Sequence, residues 1–128
     1  MAAEPKQSSR TVTRLSVSEA FFDIACGAVF QTSIAQRRCV TLRATVVSGL
    51  DNLLSSSRFD RFLWLKRWAT EDLRGPVPML LQFDAAERRL IRETQNMLQD
   101  QTLETVSVTQ TIIIAVLTIR PANSTTPR

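Results

Sequence analysis

The C-terminal stretch from Thr102 to Arg120 limits the fold of this chain more than any other part of the sequence. In its first half, Val106 and Val108 alternate with polar residues, and in its second half almost every residue is apolar. Alternation is typical of a strand with one buried face, whereas a continuous apolar run is typical of a strand buried on both faces. The many β-branched side chains favour the same structure, because they are stiff at χ1 and fit a pleated surface better than a helix. The stretch therefore predicts a long C-terminal strand or hairpin.

A straight strand of this length would be unusual, since strands in globular proteins typically have about 5 or 6 residues. The chain must therefore bulge, turn near Gln110, or extend across the interface between two subunits. The last alternative predicts a homodimer. Its interface would contain apolar side chains from one face of the strand, namely Ile112, Ile114 and Val116.

Chain length and composition indicate one ordinary globular domain. A chain of 128 residues can bury a core without metals or disulfides. Its hydrophobic fraction of 44% and charged fraction of 22% are also those of a typical globular protein. We expect a single α+β domain over residues 11–120, between flexible tails at residues 1–10 and 121–128. In this domain, about three helices pack on a mostly antiparallel sheet that includes the long C-terminal strand.

Two capping patterns predict the beginnings of helices. Ser16 and Glu19 match a capping box, and the polar residues that follow recur every four positions as far as Gln31. Such a narrow polar stripe predicts a helix that is buried on most sides, either in the core or partly under a partner subunit. Asp84 and Glu87 form the second pattern and predict a helix whose solvent side carries arginines.

The remaining elements follow from shorter signals. Alternation from Cys39 to Ser48 predicts a strand with one buried face, and the polar stretch from Gly49 to Ser57 predicts a mobile loop. The segment from Arg58 to Arg74 is predicted to be helical, although its early part also fits an extended chain. Gly75 and Pro76 would end that helix, with Gly75 as a left-handed cap. Val77 to Phe83 then predicts a short edge strand.

The sequence lacks the usual residues for catalysis and metal binding. It contains no histidine, which removes the commonest general base and metal ligand. Cys26 and Cys39 do not have the C-x-x-C spacing of a zinc site, and we interpret them as buried, reduced thiols, with a bridge between them as the alternative. There is no glycine-rich phosphate-binding motif, and the carboxylates occupy positions that caps and solvated helix surfaces explain. The sequence therefore predicts no enzyme, no metal and no cofactor.

Two arginine-rich segments are the candidate binding sites. One comprises Arg58, Arg61, Trp64, Arg67 and Trp68. The other, on the predicted helix after Asp84, comprises Arg88, Arg89 and Arg92. Arginine neutralises phosphates and tryptophan stacks on bases, so these segments fit a nucleic-acid or partner surface. The preferred, plainer interpretation of the first segment is an amphipathic helix whose aromatic side chains pack in the core and whose charges are solvated. It is preferred because the basic positions are scattered around the helix and form no single basic face.

The composition favours an interaction protein. All but two of the 16 basic residues are arginine, and histidine and tyrosine are both absent. This bias is typical of GC-rich or overlapping genes, which compact viral genomes often contain. We therefore expect a non-enzymatic macromolecular interaction protein, a small viral accessory or structural protein that acts as a homodimer with an unknown protein partner. The alternative is an RNA- or DNA-binding protein that uses the arginine and tryptophan residues. Neither a signal peptide nor a membrane span is predicted, so an intracellular location, in cytoplasm or nucleus, is expected.

Overall fold

The computed structural model describes residues 11–70 and 73–119, except for the side chains of Thr11 and of residues 67–70. The described chain forms five helices and two strands, in the order β1 (Thr11–Val17), α1 (Glu19–Gln36), α2 (Leu42–Ser55), α3 (Arg58–Thr70), β2 (Val77–Phe83), α4 (Ala85–Thr102) and α5 (Val108–Leu117). The predicted α+β class is confirmed. The long C-terminal strand is wrong, and there are more helices than expected. The two predicted tails, at residues 1–10 and 121–128, lie outside the described residues.

The sheet consists of β1 and β2, which pair in antiparallel orientation from Thr11 opposite Phe83 to Val17 opposite Val77. One face packs into the core and the other is exposed, because successive side chains of a strand point to opposite sides. The inward side chains are Leu15, Val17, Met79, Leu81 and Phe83. Alternating burial along β2 confirms the strand predicted there.

The N-cap of helix α1 is Ser18, two residues after the predicted cap Ser16. Ser16 belongs to β1 and pairs with Pro78, whereas the Ser18 hydroxyl accepts a hydrogen bond from the Phe21 N–H at 3.0 Å. The predicted helix is confirmed, but it is not a central core element, and partial cover by a partner subunit, the other alternative, stays a prediction. Only one stripe of α1 is buried, formed by Phe21, Ala25, Ala28 and Thr32.

Helix α2 replaces the strand and the loop that were predicted between Cys39 and Ser57. It begins where the Thr41 hydroxyl accepts a hydrogen bond from the Ala44 N–H at 3.0 Å. Its buried residues have helical spacing and are Thr45, Val46, Gly49, Leu50 and Leu53. The alternation read from the sequence was too short to distinguish a strand from this helical pattern.

Helix α5 lies where the second half of the C-terminal strand was predicted. Its N-terminus has a capping box, in which the Ser107 hydroxyl accepts from the Gln110 N–H and the Gln110 side chain accepts from the Ser107 N–H, both at 3.0 Å. Every residue from Thr111 to Thr118 is buried. The continuous apolar run therefore reflects a helix that is covered on all sides at the centre of the core, and not a strand buried on both faces.

Two glutamines of α4 hold the connection to α5 in place. Gln95 donates a hydrogen bond to the Val106 carbonyl oxygen at 2.6 Å, and the Gln99 side chain accepts one from the Val106 N–H at 3.0 Å. Helix α4 itself has the predicted capping box between Asp84 and Glu87. The first half of the predicted strand is therefore the end of α4 and a short connection whose one buried apolar side chain, Val106, is anchored to α4.

Helix α2 packs closely on α5 at Gly49. A Cβ atom added there would overlap the Ala115 carbonyl oxygen, so only glycine permits this approach. The residues predicted at a dimer interface, Ile112, Ile114 and Val116, are buried on this central helix within one chain. The strand from which that interface was inferred is absent, and these side chains have no surface to offer a second copy.

The predicted helix after Arg58 is confirmed as α3, and the chain is next described from Leu73. The Leu73 carbonyl oxygen accepts a hydrogen bond from the Ser18 N–H at 3.1 Å, which joins this segment to the end of β1. Gly75 passes so close that an added Cβ would lie 2.6 Å from the Ser18 Cα. No described glycine has a positive φ, so Gly75 serves this close approach and is not a left-handed cap.

Candidate interaction surface

Two residues of the basic segment on α3 take part in the packing of the fold. Arg61 donates to the Gln101 side chain at 2.9 Å and to the Ser56 carbonyl oxygen at 2.6 Å, which ties α3 to the end of α4. Trp64 is half-buried and packs against the core, as the plainer interpretation of this segment predicted, but Phe59 and Phe62 are exposed, so that interpretation is wrong for them. Arg58 is exposed, and the side chains of Arg67 and Trp68 are outside the described ones. Two of the five candidates thus have structural partners.

Of the three arginines of α4, one takes part in the packing of the fold and two are exposed. Arg88 donates to the Phe83 carbonyl oxygen at 2.9 Å and so fixes the end of β2 to α4. Arg89 and Arg92 are exposed on the outer face of α4, and Glu93 beside them is exposed as well. This outer face carries both signs of charge, as a solvated helix surface usually does.

Arg61 and Arg88, one from each basic segment, contact different parts of the fold. The α3 segment contacts α4 at Gln101, whereas Arg88 lies 13 residues earlier on the same helix (101 minus 88). At a rise of about 1.5 Å per residue, these positions are roughly 20 Å apart. The structure therefore places Arg61 and Arg88 near different parts of α4, which does not favour one joint phosphate-binding surface.

Among the described residues, the longest row of exposed apolar side chains lies on α1. Four side chains spaced four residues apart form what we call the α1 ridge, and they are Phe22, Cys26, Phe30 and Ile34. Phe22 is 41% exposed, Phe30 60% and Ile34 54%, and Cys26 is also exposed. Neighbours at this spacing lie on one side of a helix, so the ridge is continuous over about 18 Å.

A groove runs beside the N-terminal half of the ridge, between α1, the start of α2 and β2. It has a volume of about 310 Å³. It is lined by Phe22, Ala25, Cys26, Val29, Leu42 and Met79. Its lining is almost wholly apolar, which suits an apolar side chain of a partner better than a polar substrate.

Charged residues lie at both ends of the ridge and have opposite signs. Glu19 and Asp23 are exposed near its N-terminal end, and Arg37 and Arg38 are exposed beyond its C-terminal end. Within the described part of the chain, none of these four takes part in an ion pair. One ion pair of the described residues joins Arg43 to Glu87 at 3.5 Å.

A second apolar patch lies on α3 and is shorter. It consists of Phe59, Phe62 and Leu63, which are all exposed. These residues span little more than one helical turn, or about 6 Å along the axis. The α1 ridge is about three times as long and has an apolar groove beside it, so it is the stronger candidate for a binding surface.

Neither cysteine is buried. Cys26 belongs to the α1 ridge, and Cys39 lies in the connection between α1 and α2. Both are free and exposed, so the predicted burial of these thiols is wrong. Across residues 11–70 and 73–119, no group of three or more histidine, cysteine, aspartate or glutamate residues could hold a metal ion.

Among the helices described, none combines the length and the apolar character that crossing a bilayer requires. Helix α5 is the most apolar, and its 10 residues are about half the number needed to span a hydrocarbon core.

The sequence contained one sign of the α1 ridge. The polar residues of α1 form a stripe too narrow for a helix with a single buried face, and a partner subunit was one of the two explanations. The structure shows that the chain itself covers one stripe only. Which apolar side chains stay exposed could not be read from the sequence, because exposure depends on how α2 and α5 pack against α1.

Comparison of the chain with protein-family models, with curated proteins and with solved structures gave no match.

Proposed function

We propose that this protein is a non-enzymatic interaction protein that binds a protein partner through the α1 ridge and its groove. The observation that carries the proposal is the continuous row of exposed apolar side chains along α1, from Phe22 to Ile34. Water-exposed apolar surface of this extent on a small domain is typical of an interaction site. A small viral accessory or structural protein remains our hypothesis for its biological setting, and it rests on composition.

The energetics of the ridge support this proposal. Fully burying a phenylalanine side chain contributes about 1.5 to 3 kcal/mol. Phe30 is 60% exposed, so covering the rest of it would contribute about 1 to 2 kcal/mol. Aromatic side chains also dominate the binding energy of many interfaces, particularly where they enter an apolar pocket.

A photo-crosslinking amino acid at position 30 tests this proposal in cells that express the full chain. We expect protein adducts from position 30, and none from the same amino acid at position 59, which is 68% exposed on α3. Ile34→Glu, combined with the crosslinker at position 30, should abolish the adducts. Adducts formed equally from both positions, or only with nucleic acid, would contradict the proposal.

Nucleic-acid binding is the second candidate, and one observation favours it. A pocket of about 170 Å³ has Arg88 and Arg92 in its wall, together with Thr13, Gln95 and the apolar residues Ile91 and Val108. Arginine and amide donors suit a phosphate group. The placement of Arg61 and Arg88 near different parts of α4, and the packing roles of Arg61 and Trp64, make this the less favoured candidate.

Salt dependence distinguishes the two candidates. If Arg89 and Arg92 contact phosphates, the affinity for a single-stranded oligonucleotide should fall steeply with salt, by about 0.7 in the log-log slope per contact. We expect only weak, non-specific binding, in about the micromolar range or weaker at physiological salt. Submicromolar binding that Arg92→Ala weakens would overturn our preference.

A further inference from the structure

We propose that the partner on the α1 ridge is a second copy of this chain, and that the two α1 helices pack in antiparallel orientation about a twofold axis that crosses the ridge at the level of residue 28. This inference rests on the proposed function, because it uses the same surface. It replaces the earlier prediction of a dimer through the C-terminal stretch, whose side chains are buried within one chain.

The spacing of the ridge is self-complementary under a twofold axis. A symmetric interface must pair each position with one at the same distance on the other side of the axis. With the axis at the level of residue 28, Phe22 faces Ile34 of the second copy, and Cys26 faces its Phe30. Each large side chain therefore meets an apolar partner along the whole ridge.

Helix packing gives this pair a defined geometry. Side chains four residues apart form ridges inclined to the helix axis, and two such ridges interdigitate at a crossing angle of about −50°. This is the commonest arrangement of packed helices in globular proteins. The α1 ridge has this four-residue spacing, so a second α1 helix fits it without rearrangement of the backbone.

The charges at the ends of the ridge select the antiparallel orientation. Glu19 and Asp23 lie at the N-terminal end, and Arg37 and Arg38 lie at the C-terminal end. In a parallel pair, residues of like charge would be neighbours. In the antiparallel pair, the acidic end of each copy lies beside the basic end of the other, and the helix dipoles oppose each other favourably. This complementarity favours a second copy over an unrelated helix.

The area available predicts a weak dimer. An α1 helix of 18 residues is about 27 Å long and about 10 Å wide, so two crossed α1 helices bury at most about 270 Å² on each copy. Stable complexes usually bury about 800 Å² on each partner. Even with the groove beside the ridge, we expect dissociation in the micromolar range, with subunits that are folded on their own.

Sedimentation equilibrium of the purified full chain across the micromolar range tests the dimer directly. We expect a reversible monomer–dimer equilibrium. Phe30→Glu should weaken association by about tenfold or more, since each dimer contains this side chain twice. Phe59→Glu introduces the same charge at another exposed phenylalanine and should leave association unchanged. Dissociation by Phe59→Glu alone would place the interface on α3 and overturn the inference.

A charge exchange tests the orientation. In the antiparallel pair, residue 19 of each copy lies beside residue 37 of the other. Glu19→Lys and Arg37→Glu should therefore each weaken the dimer, because either change puts like charges side by side at both of these contacts. The double variant should restore most of the lost affinity, which a parallel pair would not show. Circular dichroism confirms that each variant is folded. Additive losses in the double variant would overturn the antiparallel arrangement.

The two exposed cysteines provide an independent measurement. Cys26 lies within the α1 ridge, whereas Cys39 lies beyond its end. We expect alkylation of Cys26 to slow as the protein concentration rises, while the rate at Cys39 changes little. If the purified chain is monomeric and both thiols react equally at all concentrations, the second copy is excluded. Protein adducts from position 30 in cells would then still support the proposed function with another partner.

Discussion

Helices α1 and α5 are both rich in apolar residues, and the protein uses them in opposite ways. In α5, every residue from Thr111 to the end of the helix is buried. In α1, one stripe is buried and a second apolar stripe, the α1 ridge, remains in water. The difference shows that apolar content alone does not predict burial within the chain. The arrangement of the other helices and strands determines which apolar side chains they bury.

The positions of the two helices explain the difference. Helix α5 is contacted by α1, α2, α3 and α4, so no side of it faces solvent along most of its length. Helix α1 lies at the outside of this group. A second copy would give α1 the cover on its outer side that α5 receives from its own chain.

The largest effect is expected from placing a charge on each helix in turn. Ile114→Lys puts an unpaired ammonium group in the core and should destabilise the protein by more than about 4 kcal/mol, enough to abolish cooperative unfolding. Ile34→Lys makes the same change at a position that is 54% exposed and should cost less than about 0.5 kcal/mol in dilute solution. Thermal unfolding followed by circular dichroism compares the two. Equal losses would mean that α1 is covered within the chain.

Two glycines offer a second comparison. Gly49→Ala would force a methyl group into the Ala115 backbone and should cost about 2 to 3 kcal/mol. Gly27→Ala, on α1, meets no atom within 4 Å, so its better helix propensity should stabilise the protein by up to about 1 kcal/mol. Urea unfolding at constant m-value measures both changes. A loss at position 27 would show that another group occupies the space beside it.

The N-terminal cap of α5 shows how much this helix depends on local signals. Ser107→Ala removes the hydroxyl that accepts from the Gln110 N–H and should cost about 1 kcal/mol. This is small beside the loss expected from Ile114→Lys, because burial contributes most of the stability of α5. The unfolding midpoint in urea is the measurement. A loss as large as that of the core variant would mean that α5 depends chiefly on its cap.

The smallest effect concerns protein concentration. If α1 binds a second copy, the unfolding temperature should rise with protein concentration. The free energy of unfolding should increase by about 1 kcal/mol when the concentration is roughly ten times the dissociation constant. Phe30→Glu should remove this dependence without changing the midpoint in dilute solution. Differential scanning calorimetry at two concentrations measures it. A concentration dependence that survives in Phe30→Glu would assign the dimer to another surface.

The elements that the sequence predicted correctly have strong local signals. Helix α4 has a reciprocal capping box between Asp84 and Glu87, and its apolar residues have a clear helical period. Strand β2 alternates between buried and exposed residues. In such elements the local sequence pattern and the tertiary environment favour the same structure, so the element can be predicted from the sequence.

The elements that were predicted wrongly lack such a pattern. In α5, residues 112–117 are all apolar, and a run without polar positions has no period from which a helix can be recognised. Its β-branched residues favour a strand locally, and burial on all sides overrides this preference. For the candidate site, the sequence identified Trp64 as a core residue in its preferred interpretation, but it could not show that Phe30 is exposed.

The position of α5 along the chain has a consequence for protein synthesis. Because α5 is the last described element and also the centre of the core, α1 to α4 emerge from the ribosome before the helix that they surround. Their inner faces, including the contact site of Gly49, cannot be covered until residues 108–117 have been made. Folding must therefore be completed after synthesis of this last segment, and a chain that ends before Val108 would expose its apolar surface to aggregation and degradation.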